Sequence, residues 1–175
     1  DTQAILWLLK HSYEQRDWKG IVSRSDVLLR TQTAVQSLVV PALARVAEDP
    51  LGNAELQPVL AANPPWRSAF FQSLPENVAD WRTPLNLLEG LKSTATPPTQ
   101  KDYRPYISFL IGKQRFDIAY YAWLQSLPAG RLAEVGLLYN GAFKYPLTDM
   151  PFDWFIQSGP GSVVEVHDFG AAKAL

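Results

Sequence analysis

Few residues of this chain have the type and spacing that metal binding or redox chemistry requires. Cysteine is absent, which excludes disulfides, thiolate nucleophiles and thiolate metal ligands. The two histidines, His11 and His167, lie near opposite ends of the sequence. A histidine-based metal site needs several ligands that converge on one point. The sequence therefore predicts neither a bound metal nor a cofactor.

Paired carboxylates, which could serve glycosidic-bond hydrolysis, are the remaining catalytic candidates. Such pairs occur at Glu48/Asp49, Asp149/Asp153 and Glu165/Asp168. Glu48 and Asp49 precede Pro50, and we expect them to form the solvated end of a helix. Asp149 and Asp153 are predicted to be turn residues, because Asp side chains bond nearby backbone N–H groups. Since no phosphate loop or nucleophile motif occurs either, the sequence predicts that this chain is not an enzyme.

Aromatic side chains with an arginine beside them are the better candidates for a site. The conservative interpretation is that the rings pack between helices. The alternative is a concave groove that binds an extended peptide or a glycan through ring faces and guanidinium groups. The residues of this groove hypothesis are Trp66, Arg67, Phe70, Trp81, Arg82, Tyr103, Arg104, Tyr120 and Trp123.

A second aromatic group lies in the segment NGAFKYPLTDMPFDW, residues 140–154. Asn140-Gly141 is typical of a tight turn. Phe152 and Trp154 are two positions apart, so on a strand both would point to one face and pair in a core. We therefore interpret the segment as a junction between two architectures, with a ligand-binding loop as the alternative.

The elements that position these residues are predicted to be mainly α-helical. Hydrophobic residues at helical spacing predict antiparallel helical hairpins over residues 1–130, with Asp17 and Asn53 as helix caps. Pro75 is expected to end a helix, and residues 102–127 to form a strong hairpin. Residues 131–175 are predicted to be a β segment, the start of a truncated sandwich, with strands at 135–139, 152–156 and 162–166.

The composition limits the class of partner. The formal net charge is −1, so the chain lacks the basic field that attracts nucleic acid. No apolar run approaches the ~20 residues that span a bilayer. Both ends fall inside predicted elements, so we expect the chain to belong to a longer protein and a targeting segment to be undetectable here.

Two predicted turns, residues 14–21 and 112–119, carry a similar pattern. In both, a Gln-Arg pair precedes an aromatic residue, Trp18 or Phe116, and a small residue, Gly20 or Ala119, follows. The small residue is expected to let two helices approach closely. This pattern resembles the tetratricopeptide repeat, and the resemblance implies a helical solenoid that presents a binding surface.

The junction resembles the first strands of a galactose-binding-like β-sandwich, through the Asn140-Gly141-x-Phe143 turn and the Pro151-Phe152-x-Trp154 segment. Helical repeats followed by such a module are similar to some large bacterial envelope proteins. The resemblance implies a non-enzymatic module that scaffolds or binds a protein, peptide or glycan in envelope polysaccharide assembly. It implies an envelope or periplasmic location, with the cytoplasm left open. The alternatives are an accessory domain of a carbohydrate-active enzyme whose catalytic part lies outside this chain, and a structural spacer.

Overall fold

Helices dominate the structure, a computed structural model that describes residues 2–156, 161, 167–169 and 172–174. The α-helices are α1 Thr2–Glu14, α2 Trp18–Thr31, α3 Gln36–Glu48, α4 Pro50–Ala61, α5 Arg67–Asn77, α6 Thr83–Leu91, α7 Gln100–Gly112 and α8 Phe116–Ser126. Short 3-10 helices cover Thr33–Val35 and Ala129–Glu134. Strands β1 His167–Phe169 and β2 Ala172–Ala174 pair antiparallel. The prediction of a mainly α protein is confirmed.

Side-chain caps define several helix starts. The Asp17 carboxylate accepts a hydrogen bond from Gly20 N at the start of α2, as predicted. The predicted cap Asn53 is wrong, because Asp49 accepts from Leu51 N and begins α4 earlier, with Pro50 at the first helical position.

Pro75 does not end a helix as expected. It lies inside α5, which continues to Asn77. The Pro75 side chain is buried in α5 together with Leu74 and Phe71. Burial of this apolar face offsets the backbone hydrogen bond that a proline cannot donate.

The helices form two layers in which alternate helices stack. α3 packs on α5 and α5 on α7, while α2 packs on α4 and α4 on α6. Consecutive helices also contact each other from α1 to α4 and from α5 to α8. This arrangement is compatible with helical repeats, in which each unit contacts its neighbours. The segment that follows α8 packs against it, through contacts of Trp123 with Tyr139 and Phe152.

The two turns that resemble each other in sequence have the same backbone geometry. Arg16 and Gln114 both have left-handed φ angles, 53° and 59°, two residues before the next helix. Asp17 N donates to Ser12 O, and Arg115 N donates to Leu110 O in the equivalent bond. When Arg16 is aligned with Gln114, Trp18 coincides with Phe116. In this alignment the two Gln-Arg pairs are offset by one residue.

The small residue has different surroundings at the two turns. Ala119 is fully buried. Gly20 is partly exposed, and a Cβ there would meet the Asp17 carboxyl rather than a neighbouring helix. Its small size therefore makes room for the cap of α2.

Two of the predicted strands do not form. Residues 135–139 and 152–156 are turns, bends and irregular backbone. Asn140 and Phe152 have φ angles of 52° and 68°, which bend the chain away from an extended path. The third predicted strand, 162–166, lies outside the described residues. The boundary at 131 stays a prediction, although residues 139, 149 and 152 pack on or bond to α7 and α8.

None of the described helices is long and apolar enough to cross a bilayer.

Candidate functional site

The structure places four aromatic residues of the groove hypothesis in the hydrophobic core. Trp66, Phe70, Tyr103 and Trp123 are each at most 3% exposed. Their rings pack against other core side chains, as in the 6.1 Å edge contact between Trp66 and Phe70. These faces are closed to a ligand in this conformation, which matches the conservative interpretation, packing between helices.

Arg67 is also buried, and its guanidinium group is occupied by the protein itself. Nη2 lies 3.0 Å from Asp102 Oδ2, while Nη1 donates to the carbonyl oxygens of Leu60 and Thr96. Asp102 Oδ2 accepts from Thr99 N as part of the capping box of α7. The group therefore joins α4, α5 and α7 and is not available for a ligand.

Tyrosines on α7 are buried as well. Burial, with the charges of Glu89 and Asp102 adding to it, raises the pKa of Tyr103 far above its ordinary value. Burial and the charge of Asp80 raise the pKa of Tyr106 to about 12. Both hydroxyls are therefore protonated under physiological conditions.

The exposed members of the predicted set lie in different places. Trp81 is partly buried, and the Arg82 guanidinium stacks 4.9 Å from its ring centre. Arg104 lines a polar cleft of about 820 Å³ between α5 and α7, and its Nη2 donates to Asp149 O. Tyr120 faces a separate cleft at α8. The nine residues do not form one groove.

The cleft beside α8 is the candidate site, and we call it the junction cleft. It has a volume of about 330 Å³. Five of its lining residues are aromatic: Tyr120, Trp123, Tyr139, Phe152 and Trp154. The others are Gly136, Leu137, Leu138 and Asp153.

The rings of the junction cleft hold one another in place. Phe152 lies against Tyr120 at 5.4 Å and against Trp123 at 5.8 Å, measured between ring centres. Trp123 also contacts Tyr139 edge-to-face at 5.0 Å. Because Trp123 is buried in the helical core, it fixes this wall of the cleft to α8.

Trp154 forms a second part of the lining and is anchored by hydrogen bonds. Its Nε1 donates to Tyr139 O and Asn140 O, each at 3.1 Å. The Asn140 side chain in turn bonds the backbone N and O of Tyr145. Trp154 also packs on Phe143 at 5.0 Å. The predicted pairing of Phe152 and Trp154 on one strand face is wrong, because their rings have different partners.

Within the part of the chain that the structure describes, Asp153 is the one charged residue that lines the junction cleft. Its Oδ2 accepts from Thr148 N and Thr148 Oγ1, and its Oδ1 accepts from Trp154 N. The carboxylate thus shapes the turn, as predicted for Asp153. All of these donors are neutral, and among the described residues no Lys or Arg forms a salt bridge with it.

Left-handed backbone is concentrated in this segment. Asn140, Phe143, Asp149 and Phe152 have φ angles between 49° and 68°. Such a conformation is uncommon for Asn and Asp and strongly disfavoured for a bulky residue such as Phe. The surrounding hydrogen bonds and ring contacts hold Phe152 in this conformation, with its ring toward α8.

A surface cluster holds the outer side of the same segment. Glu134 accepts hydrogen bonds from Lys144 Nζ and the Tyr145 hydroxyl, and Arg131 lies over the Tyr145 ring at 4.1 Å. The hydrogen bond from Lys144 lowers the pKa of Glu134, and the same bond raises the pKa of Lys144. These contacts tie the 3-10 helix Ala129–Glu134 to the junction.

Glu48, of the predicted pair Glu48/Asp49, is not part of a solvated helix end, so the expectation for this residue is wrong. Its Oε1 accepts from the backbone N of Ala79 and Asp80, and its Oε2 accepts from Arg45. Asp49 caps α4. Of the third pair, Glu165 lies outside the described residues. The described part of the chain contains no group of three or more His, Cys, Asp or Glu that could hold a metal ion.

Sequence reasoning identified Tyr120 and Trp123 but did not place Leu137, Leu138, Phe152 and Trp154 in a site. The sequence signal for this site is the density of aromatic residues in 140–154, which is interpreted from sequence as core packing at a junction. Comparison with known proteins adds no assignment, since no family model, curated protein or solved structure matches this chain.

Proposed function

We propose that this chain is a non-enzymatic interaction module, in which the helical layers are the scaffold and the junction cleft is the binding surface. One observation carries this proposal. Eight of the thirteen large hydrophobic side chains exposed on the described protein lie between residues 116 and 155. Leu137 is fully exposed and Leu138 is 63% exposed, both at the cleft. Four of the eight, Tyr120, Leu137, Leu138 and Phe152, line the cleft. Exposed apolar surface concentrated at a cleft is typical of a binding site.

The use of the carboxylates supports the non-enzymatic part of the proposal. Asp153 and Glu48 each accept hydrogen bonds from the backbone, and Asp49 is a helix cap. Carboxylates that accept hydrogen bonds in this way stabilise turns and helix ends, which is a structural role for each of them.

The resemblances belong to the proposal as well. The alternation of two helix layers and the matching turns at Arg16 and Gln114 support tetratricopeptide-like repeats. The galactose-binding-like sandwich, a protein or glycan partner, and a periplasmic role in polysaccharide assembly remain predictions from the sequence.

Fluorine NMR of protein labelled with 5-fluorotryptophan tests the location of binding. The six tryptophans give separate probes, of which Trp123 and Trp154 line the junction cleft. A library of peptides, glycans and small organic cations is screened against the labelled chain. We expect ligands to move the Trp123 and Trp154 resonances while those of Trp7 and Trp81 stay in place. Ligands that move only the distant resonances, or a library without any ligand, would contradict the proposal.

A further inference from the structure

We propose that the junction cleft binds a small quaternary ammonium compound, with the trimethylammonium head in contact with the aromatic rings and next to Asp153. This inference rests on the proposed function and adds the chemical class of the ligand. It follows from the charge of the cleft, from its rings and from the small number of hydrogen-bond acceptors that its described residues leave free.

The charge of the junction cleft favours a cation. Asp153 is the one charged residue of the lining among the described residues, and neutral donors from Thr148 and Trp154 occupy its oxygens without cancelling the charge. An anionic ligand would be repelled here. A cation beside this carboxylate is attracted more strongly than on open surface, because the half-buried position reduces screening by water.

The rings of the cleft are without a cation of the protein itself. Elsewhere, the chain's own cations lie over Phe71, Trp81, Phe109 and Tyr145. No such contact involves the five aromatic residues of the junction cleft among the described residues. The rings of Tyr120, Phe152 and Trp154 are accessible in part, whereas Trp123 and Tyr139 are buried behind them. Because the face of an aromatic ring attracts cations within about 6 Å of its centre, the accessible rings can receive a cationic ligand.

The small number of available acceptors favours a methylated ammonium over a primary one. A buried primary ammonium carries three N–H donors that all require acceptors. Asp153 already accepts bonds from Thr148 and Trp154, and the leucines offer no acceptor. The other side-chain acceptors of the lining are the hydroxyls of Tyr120 and Tyr139, of which the Tyr139 hydroxyl is buried without a partner among the described residues. Two hydroxyls are fewer than three N–H donors require. A trimethylammonium group has no N–H donor, and its methyl groups can pack on Leu137 and Leu138.

The size and rigidity of the site favour a small ligand. A volume of about 330 Å³ lies at the lower end of the range for small-molecule pockets, about 300–1,000 Å³. The Trp154 indole is fixed by two hydrogen bonds, and Phe152 is held in a left-handed conformation against Tyr120. A site built in advance loses little conformational entropy on binding.

Titration with choline and with its neutral carbon isostere, 3,3-dimethylbutan-1-ol, tests the inference directly. Both have the same shape, and only choline is charged. We expect choline to move the fluorinated Trp123 and Trp154 resonances and to bind at least about fivefold more tightly than the alcohol, since cation–π attraction and the carboxylate both act on the charge.

Variants assign the effect to individual side chains. Tyr120→Leu keeps apolar volume but removes a ring, and we expect it to weaken choline binding about threefold to tenfold. Tyr121→Leu is the matched control, because Tyr121 is exposed on the same helix and does not line the cleft. Asp153→Asn should weaken choline binding but leave the alcohol unchanged. Thr148→Ala removes the hydrogen bond from Thr148 Oγ1 to Asp153 while keeping the charge of Asp153, so it should retain choline binding.

The outcomes separate this inference from the proposed function. Equal binding of choline and the alcohol would overturn the ammonium assignment but leave the cleft as a binding surface. The ammonium assignment is also overturned, and the cleft is still a binding surface, if choline does not bind while other library members move the Trp123 and Trp154 resonances. Tighter binding of a trimethyl-lysine peptide than of choline would overturn the small-molecule assignment. If Thr148→Ala weakens binding as much as Asp153→Asn, turn structure rather than charge is responsible and the inference is wrong.

Discussion

Arg67 and Asp102 form a buried ion pair, with Nη2 of the arginine 3.0 Å from Oδ2 of the aspartate. Their side chains are 5% and 11% exposed. The guanidinium group also bonds the carbonyl oxygens of Leu60 and Thr96, and Asp102 accepts from Thr99 N. One arginine thus links the end of α4, the segment before α7 and α7 itself, which fixes the spacing of three helices.

Replacement of Arg67 by Met should destabilise the protein by about 3–5 kcal/mol, because it leaves the Asp102 carboxylate buried without a countercharge. The free energy of unfolding in urea, followed by circular dichroism, measures this change. Lys10→Met is the control, since Lys10 forms an exposed pair with Glu14 at 3.9 Å. The control should cost less than about 1 kcal/mol. Equal effects of the two variants would show that the buried pair is unimportant.

The role of Arg67 also shows what sequence could not predict. Helix caps such as Asp17 were predicted because the signal lies within a few consecutive residues. The partner of Arg67 lies 35 positions along the chain, and no local pattern marks it. An arginine beside a tryptophan therefore indicated a ligand contact, although the fold uses it to join helices. The cap of α4 was misplaced for a local reason, since Asn and Asp both suit a cap position and Asp49 was not considered for it.

Glycine at the two matching turns should stabilise the protein. Arg16 and Gln114 have φ angles of 53° and 59°, which glycine adopts without the steric cost of a Cβ. We expect Arg16→Gly and Gln114→Gly each to add about 0.5–1 kcal/mol to the unfolding free energy. The double variant should show the sum, because the turns are far apart in the chain.

The control for these variants is Gln15→Gly, next to Arg16. Gln15 N donates to His11 O and continues the helical bonding of α1. Glycine there should lower stability by up to about 1 kcal/mol. Thermal unfolding gives the sign of each change. A loss of stability in both turn variants would show that the side chains of Arg16 and Gln114 stabilise the protein by more than their left-handed backbone destabilises it.

The anchoring of Trp154 gives a graded prediction for the junction. Trp154→Phe keeps a ring but removes the donor to Tyr139 O and Asn140 O, so it should cost about 1 kcal/mol. Trp154→Ala also removes packing on Phe143 and should cost about 2 kcal/mol, less than a fully buried tryptophan would. Urea unfolding measures both changes. Phe155→Ala, at a ring 70% exposed, should change stability by less than about 0.5 kcal/mol. A Trp154→Ala loss as small as this would disprove the anchor.

The junction cleft itself was only partly predictable. Tyr120 and Trp123 stood out because they recur at helical spacing. Phe152 was assigned to a strand because alternation over five residues is the pattern of a strand. Its left-handed φ of 68° depends on contacts with α8, which are distant in sequence. Tertiary contacts overrode the local preference, and the ring points to a cleft rather than into a sheet.

Glu48 should make stability depend on pH. Burial raises the pKa of this carboxyl, but hydrogen bonds from the backbone of Asp80 and Ala79 and from Arg45 outweigh burial and lower it below 4.5. The folded state therefore binds the proton less readily than the unfolded chain. The stabilisation is complete above the unfolded pKa, and it is lost as the pH falls through the folded value.

Glu48→Gln isolates this contribution. At about pH 7 the variant should be less stable than the wild type, because the amide replaces a charged acceptor of two backbone N–H groups. As the pH falls through the lowered pKa of folded Glu48, the difference should shrink, because the wild-type carboxyl then takes up its proton. Urea unfolding at a series of pH values measures the difference, and Glu55→Gln controls for the loss of one exposed carboxylate. A difference that stays constant with pH would mean that the contact of Glu48 with Ala79 and Asp80 contributes no charge-dependent stability.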